Sequence, residues 1–270
     1  MIRFEHITKK YDGAVILDDV SFAVKPGERL SLIGPGGCGK TTVLKLLLGL
    51  ERPNKGNAYL FDTDMSHASE SEKQLVCRRT GMAFQQGGLF DFMTVRENLL
   101  FAMEHMTQKT AEEMDNTMQR LLAGVKLAGT AAMFPHELSG GMKRRIGIAR
   151  ALCTEPELAI FDEPTAGLDP VTSTIILQMI GELSGAHQKT SMLVASSNVE
   201  IAIRFADRLL ILHEGKVEAD GPWRELLLNG TEWVRNFLSV RLIGLDIEYA
   251  LGLDLPKPFI AKHWHNAAKL

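Results

Sequence analysis

Gly34-Pro35-Gly36-Gly37-Cys38-Gly39-Lys40-Thr41 fits the pattern GxxxxGK[ST], and each residue type in it suits a phosphate oxyanion. Glycines let successive backbone N–H groups turn toward phosphate oxygens, Lys40 reaches the outer phosphates, and Thr41 offers its hydroxyl to magnesium. Cys38 reads as a small residue that fits the loop. Asp162 and Glu163 close the apolar run Leu158-Ala159-Ile160-Phe161, so one carboxylate can hold a cation while the other acts on water. Ser139-Gly140-Gly141 leads into the basic stretch Lys143-Arg144-Arg145, with Ser139 placed 23 residues before Asp162 (162 minus 139). Taken alone, that segment reads as a helix N-cap followed by flexible glycines. The phosphate loop and the paired acids together point to a nucleoside triphosphate.

Such groups need particular elements to hold them. An apolar strand over 30–33 precedes the phosphate loop, and a helical pattern over 43–50 follows it. Strand, loop, helix is the order in which the loop works. Further apolar strands are expected at 158–161, 192–195 and 209–213, with a helix over 199–206, which predicts a parallel sheet with crossover helices. Residues 2–22 alternate around a turn at Asp12-Gly13 and, with the strand that ends at Pro26-Gly27, read as strands at a sheet edge. A methionine-rich, charged helical stretch over 94–132 shows no strand, so a helical subdomain is expected at about 84–155. After Gly221-Pro222, Trp223, Leu226, Leu227, Trp233 and Phe237 fall at helical spacing, before a proline-broken tail containing His263-Trp264-His265, which reads as a tail rather than a metal site. The expected division is 1–221 for the nucleotide-binding domain and 222–270 for a C-terminal helical extension and tail.

Composition narrows the partners. The 270 residues are 45% hydrophobic and 23% charged, as in a soluble globular protein of one or two domains. Lys and Arg number 30 against 33 Asp and Glu, so no global positive charge draws the chain to nucleic acid. Cys38, Cys77 and Cys153 form no CxxC pair, the opening residues lack a signal-peptide pattern, and no apolar run approaches the roughly 18 residues of a membrane span. The expected home is the reducing cytosol, with any membrane work done by docking onto another protein.

The phosphate loop, LSGGMKRR followed by IARAL, and FDEPTAGLDP occur in the order seen in nucleotide-binding subunits of ABC transporters, which residues 2–221 resemble. The resemblance implies an α/β P-loop NTPase fold: a RecA-like core, an antiparallel β edge and an inserted α-helical subdomain. It also implies ATP and Mg2+ as ligands, and a homodimer in which Ser139, Gly140 and Gly141 of one subunit meet the γ-phosphate held by the other. A lone chain is then expected to be nearly inactive. Residue by residue, it assigns Tyr11 to adenine stacking and adds Thr42 to the nucleotide contacts of Gly34, Gly36, Gly37, Cys38, Gly39, Lys40 and Thr41. Gln85 becomes the glutamine that touches magnesium or water and links to the membrane partner, with Gln86 the alternative one position on. Asp162 becomes the magnesium-side acid, Glu163 the general base, and Asp169 the aspartate that crosses the dimer interface.

One position departs from the family. Its usual switch histidine falls nine residues before Ala206 (206 minus 9), where this chain has Ser197. Serine carries no positive charge and reaches less far than imidazole, so slow hydrolysis with Glu163 still the base is expected. The rival reading is an ATP-dependent switch or scaffold with little hydrolysis. GGLFDFMTVRENLLF at 87–101 and the WVRNFL run at 233–238 are similar to ATPases of the Mla group, which serve Mce-protein lipid transporters. That likeness implies phospholipid trafficking, permease subunits, an Mce-type substrate-binding protein, a small regulatory subunit, and a peripheral place on the cytoplasmic face of the inner (plasma) membrane. The helix from Trp233 onward is expected to meet the other subunit or a regulatory partner.

Overall fold

A computed structural model describes residues 1–168, 173, 176–177, 179–181, 190–206 and 208–241. Two sheets share the work. The larger has six strands in the order β10-β9-β3-β8-β7-β6: β3 is Arg29–Ile33, β6 Thr80–Ala83, β7 Leu158–Asp162, β8 Ser191–Ser196, β9 Arg208–His213 and β10 Lys216–Pro222. β9, β3, β8, β7 and β6 run parallel, and only β10 is antiparallel to its neighbour. Continuous burial of Leu30 to Ile33, Leu158 to Phe161 and Ser191 to Ser196 explains why their sequences do not alternate, since parallel strands are covered on both faces. Phe161 is fully buried and meets Phe205 edge-on at 6.2 Å; burying such a ring contributes roughly 1.5–3 kcal/mol.

Register sets the functional edge. Ile33 pairs with Ser196, and Asp162 pairs with Ala195. Gly34, Glu163 and Ser197 therefore leave the sheet together at the carboxyl ends of three adjacent strands, which is where open α/β sheets bind ligands.

The second sheet, β2-β1-β4-β5, is the expected antiparallel β edge, with β2 as an outer strand. β1 (Ile2–Tyr11) and β2 (Ala14–Val24) turn at Asp12-Gly13 as expected, and with β4 (Lys55–Leu60) and β5 (Thr63–Asp64) they form an antiparallel sheet of their own. Its inward residues, among them Ile2, Phe4, Leu17, Val20 and Phe22, join the core beneath β3, with Phe4 and Phe22 stacked at 4.7 Å.

Helix α1 (Lys40–Leu47) follows the phosphate loop and α2 (Glu70–Arg78) precedes β6. The helical stretch resolves into α3 (Val95–Met106) and α4 (Ala111–Gly124), each opened by a capping box, Thr94 with Glu97 and Thr110 with Glu113. α5 (Gly140–Leu152) starts at Ser139 and carries Ile146, Ile148 and Ala149 into the same core as Phe161 and Val194, so this helix joins the helical segment to the sheet. α6 is Val199–Phe205, and two short helices, α7 (Trp223–Asn229) and α8 (Glu232–Arg241), follow β10. Trp223, Leu227, Val234, Phe237 and Leu238 pack against Ile33, Val199 and Ile211. The apolar spacing that suggested a partner-binding helix is thus accounted for by packing within the chain. The tail, with His263, Trp264 and His265, lies outside the described residues.

Candidate functional site

The phosphate loop passes so close to β9 that a Cβ on Gly34 would stand 2.2 Å from the Leu212 carbonyl oxygen. Only glycine fits there. Gly39 occupies the N-cap of α1 at φ +107° with no side-chain cap, and the first turn of α1 holds no acid. The amides opening α1 are left for an anion, and the helix dipole favours one.

Lys40 is 7% exposed and is held from several sides. Its ammonium donates to the carbonyls of Gly34 at 2.9 Å and Pro35 at 3.1 Å and to Ser197 Oγ at 2.9 Å, and it lies 3.8 Å from Glu163 Oε1. Ser197 Oγ in turn donates to Glu163 Oε1 at 2.6 Å. One hydroxyl thus links cation to carboxylate. Glu163 sits at φ +47°, strained for a residue with a side chain, and its N–H donates to the Ala195 carbonyl at 2.8 Å. Asp162 lies beneath; burial and then the Glu163 charge push its carboxyl above the usual range, against Lys40 and a hydrogen bond with Thr41. A half-buried acid beside a second acid, with the Thr41 hydroxyl bonded to it and Gln85 on the cavity wall, is an oxygen donor set that suits magnesium.

A cavity of about 780 Å³ opens over these groups, lined by Gly36, Gly37, Gly39, Lys40, Thr41, Thr42, Gln85, Glu163 and Ser197. Gln85, and not Gln86, is on that wall. Gly34, Cys38 and Asp162 are not part of the lining; Cys38 is buried, and desolvation raises its thiol pKa, which disfavours the thiolate. Tyr11 is near the rim but off the lining. Its hydroxyl donates to Glu51 and also bonds Thr42, while the Lys9 ammonium sits 4.8 Å over its ring, so one ring face is already covered.

Ser139, Gly140 and Gly141 do not line the cavity. Ser139 Oγ accepts from the Met142 N–H at 3.2 Å, and Ser139 and Gly140 are exposed at a helix start with no acid in its first turn. Asp169 lies outside the described residues. Sequence reasoning missed Ile16, Asn198 and Glu200, which also line the cavity. Asn198 had a readable signal, an N-cap residue directly after an apolar strand; its Oδ1 accepts from Ile201 N–H at 3.2 Å. Ile16 had none, because β2 reaches the loop only through tertiary packing.

The ABC transporter family model matches residues 17–166. The intermembrane phospholipid transport ATP-binding protein MlaF of Escherichia coli is 37% identical over 224 residues, 83% of each chain. A probable ribonucleotide transport ATP-binding protein, mkl, of Mycobacterium tuberculosis is 35% identical over 243 residues, 90% of this chain and 67% of that protein. Among solved structures, a dimeric ATP-binding cassette in a post-hydrolysis state with ADP and phosphate superposes with a TM-score of 0.75 at 29% identity, covering 82% of this chain and 98% of that one. The RecA-like P-loop architecture, the edge of three strands that gathers Lys40, Glu163 and Ser197, and these matches agree: the chain belongs to the ABC transporter family, as an ATP-binding subunit.

Proposed function

We propose that this subunit hydrolyses ATP to drive an ABC transporter that moves phospholipid between membranes of the cell envelope. The observation that carries the ATPase reading is the Lys40–Ser197–Glu163 chain of hydrogen bonds at the floor of the cavity. Triphosphate entering the loop replaces the Gly34 and Pro35 carbonyls as the acceptor for Lys40. Glu163 then takes the proton of the attacking water. Thr41, Asp162 and Gln85 would hold magnesium, which supplies charge neutralisation of the phosphates. Because Ser197 is neutral and ties up one Glu163 oxygen, turnover is slow. The binding-only switch finds no support among the relatives, and the carboxylate expected of a base stands in the cavity.

Ser139 and Gly140 are exposed and lie off their own chain's cavity, which supports a homodimer with two composite sites, Asp169 crossing between them and Tyr11 stacking adenine on its open face. An apolar groove of about 460 Å³ beside Gln85, lined by Met82, Phe84, Phe90 and Phe101, suits a helix of a permease subunit. Among the described residues no helix is long and apolar enough to cross a membrane, so the chain would act peripherally, on the cytoplasmic face. The phospholipid assignment rests on the MlaF likeness and brings with it an Mce-type protein and a small regulatory subunit. Purifying the chain with its membrane partners and extracting bound lipid tests it: phospholipid in the extract is expected, and a complex that carries none and moves none between vesicles overturns it.

A further inference from the structure

Arg144 lies in the second turn of α5, outside the nucleotide cavity, yet it joins both sides of that cavity. Its Nε donates to the Gln85 carbonyl at 2.9 Å, and its Nη1 donates to the Ala166 carbonyl at 2.6 Å. The first acceptor is 59 residues away along the chain and the second 22, so the contact is tertiary on both arms. Gln85 carries the amide on the cavity wall, and Ala166 closes the turn that begins at Glu163, where its N–H donates to the Glu163 carbonyl at 3.2 Å. A single planar guanidinium thus holds the loop bearing Gln85 and the turn bearing Glu163 to the helix that starts at Ser139.

The backbone at this junction leaves no slack. A Cβ on Gly147 would stand 2.5 Å from the Gly87 carbonyl oxygen, and a Cβ on Gly87 would stand 2.6 Å from the Lys143 carbonyl oxygen. The loop after Gln85 and the α5 backbone are therefore in direct main-chain contact, one turn from the Arg144 fork. Ser139 caps the same helix five residues before Arg144, about 7 Å along the axis. Arg144 is partly buried, and desolvation lowers its guanidinium pKa, so leaving its donors unpaired would be costly.

We infer that Arg144 is a positioning residue: it makes the Gln85 loop, the turn after Glu163 and the signature end of α5 move as one body, so that what meets Ser139 is felt at the chain's own cavity. The inference rests on the ATPase reading for its consequence, but not for the tie itself. Only a fork with two separated donors can hold both carbonyls, so lysine keeps the charge and loses one arm.

Two measurements test it. Hydrogen exchange on the nucleotide-free protein reads the tie directly: in R144A and R144K the amides of 84–88 and of 164–168 exchange at least about tenfold faster together, with the rest of α5 unchanged. In steady-state hydrolysis by the assembled transporter, R144A lowers kcat about tenfold with KM for ATP within about twofold, and R144K falls between it and wild type. Unchanged exchange at both segments overturns the tie. Full rescue of kcat by R144K, or a loss confined to KM, overturns the positioning role, because charge or binding alone would then suffice. If wild type itself does not hydrolyse ATP, the ATPase reading fails while the exchange result still judges the tie.

Discussion

The cavity around Lys40 and the exposed start of α5 are built in opposite ways. In the first, charged groups satisfy one another: buried Lys40, exposed Ser197 and half-buried Glu163 form a continuous chain of contacts, with half-buried Asp162 beside Glu163. In the second, Ser139 and Gly140 stand in solvent at a helix N-terminus, with three basic residues behind them and no acid in the first turn. One region is an open pocket; the other is an exposed helix start that lies off that pocket's lining. On the proposed homodimer each is half of a site, and what separates them is that one half holds its charged groups in mutual contact while the other leaves its polar end in solvent.

The sharpest break of that comparison is at the pocket half. Glu163→Gln keeps size and hydrogen bonding but removes the base, and should lower hydrolysis by roughly 10²–10⁴-fold. ATP binding should persist, so the variant should accumulate as an ATP-bound dimer visible by size exclusion. Hydrolysis near the wild-type rate would place the base elsewhere.

The next effect belongs to the other half. Gly140 has open space around its Cβ position, and an acid at a helix start is favourable, so Gly140→Asp should leave the melting temperature unchanged or slightly higher. The new carboxylate would repel phosphate offered by a second subunit, so hydrolysis by the assembled transporter should fall about 10²-fold. ATP affinity of the single chain should not change, since Gly140 is off its cavity. A loss of single-chain affinity would mean that the two halves are not separate.

Ser197→His sharpens the comparison from inside the pocket. An imidazole in place of the hydroxyl restores a charge-capable donor toward the γ-phosphate and frees a Glu163 oxygen, for an expected gain of about tenfold in kcat, near 1.4 kcal/mol. An unchanged or lower rate in the assembled complex would show that serine is sufficient and that slow hydrolysis has another origin.

How much of this was legible beforehand follows the same division. Residues whose role is set within a few positions of chain were readable: the phosphate loop between a strand and a helix, Asp162 and Glu163 at a strand end, Ser139 before a basic helix. Ser197 was found only by counting from a neighbouring triplet, and its bonds to both Lys40 and Glu163 depend on the alignment of β3, β8 and β7, which no local pattern states. The short strands β4, β5 and β6 were missed because KGNAYL, TD and TGMA are too brief to show a period. Helix starts were easier than used: Ser69 with Glu72, Thr94 with Glu97 and Thr110 with Glu113 each spell the capping box. The α8 face was misassigned because apolar spacing announces burial without naming what does the burying; Val234 and Phe237 turn toward their own sheet.

The smallest expected effect lies at the cavity rim, where Glu51 gathers Tyr11, Lys45 and Lys9. The Tyr11 hydroxyl, followed by the two ammonium groups, holds the Glu51 carboxyl down at about 2 from an ordinary 4.5. A carboxylate whose folded pKa is depressed adds stability that is complete above its unfolded pKa and disappears as pH falls through the folded one. The window is therefore about pH 4.5 down to 2. At a side chain 22% exposed, solvent screening limits the contribution to about 1 kcal/mol, or roughly 2–4 °C in melting temperature. Glu51→Gln should lower the melting temperature by that amount at pH 7 and converge with wild type as pH approaches 2. Parallel melting curves across the whole range would mean that Glu51 orients Tyr11 without its charge, and the rim would then owe its order to packing.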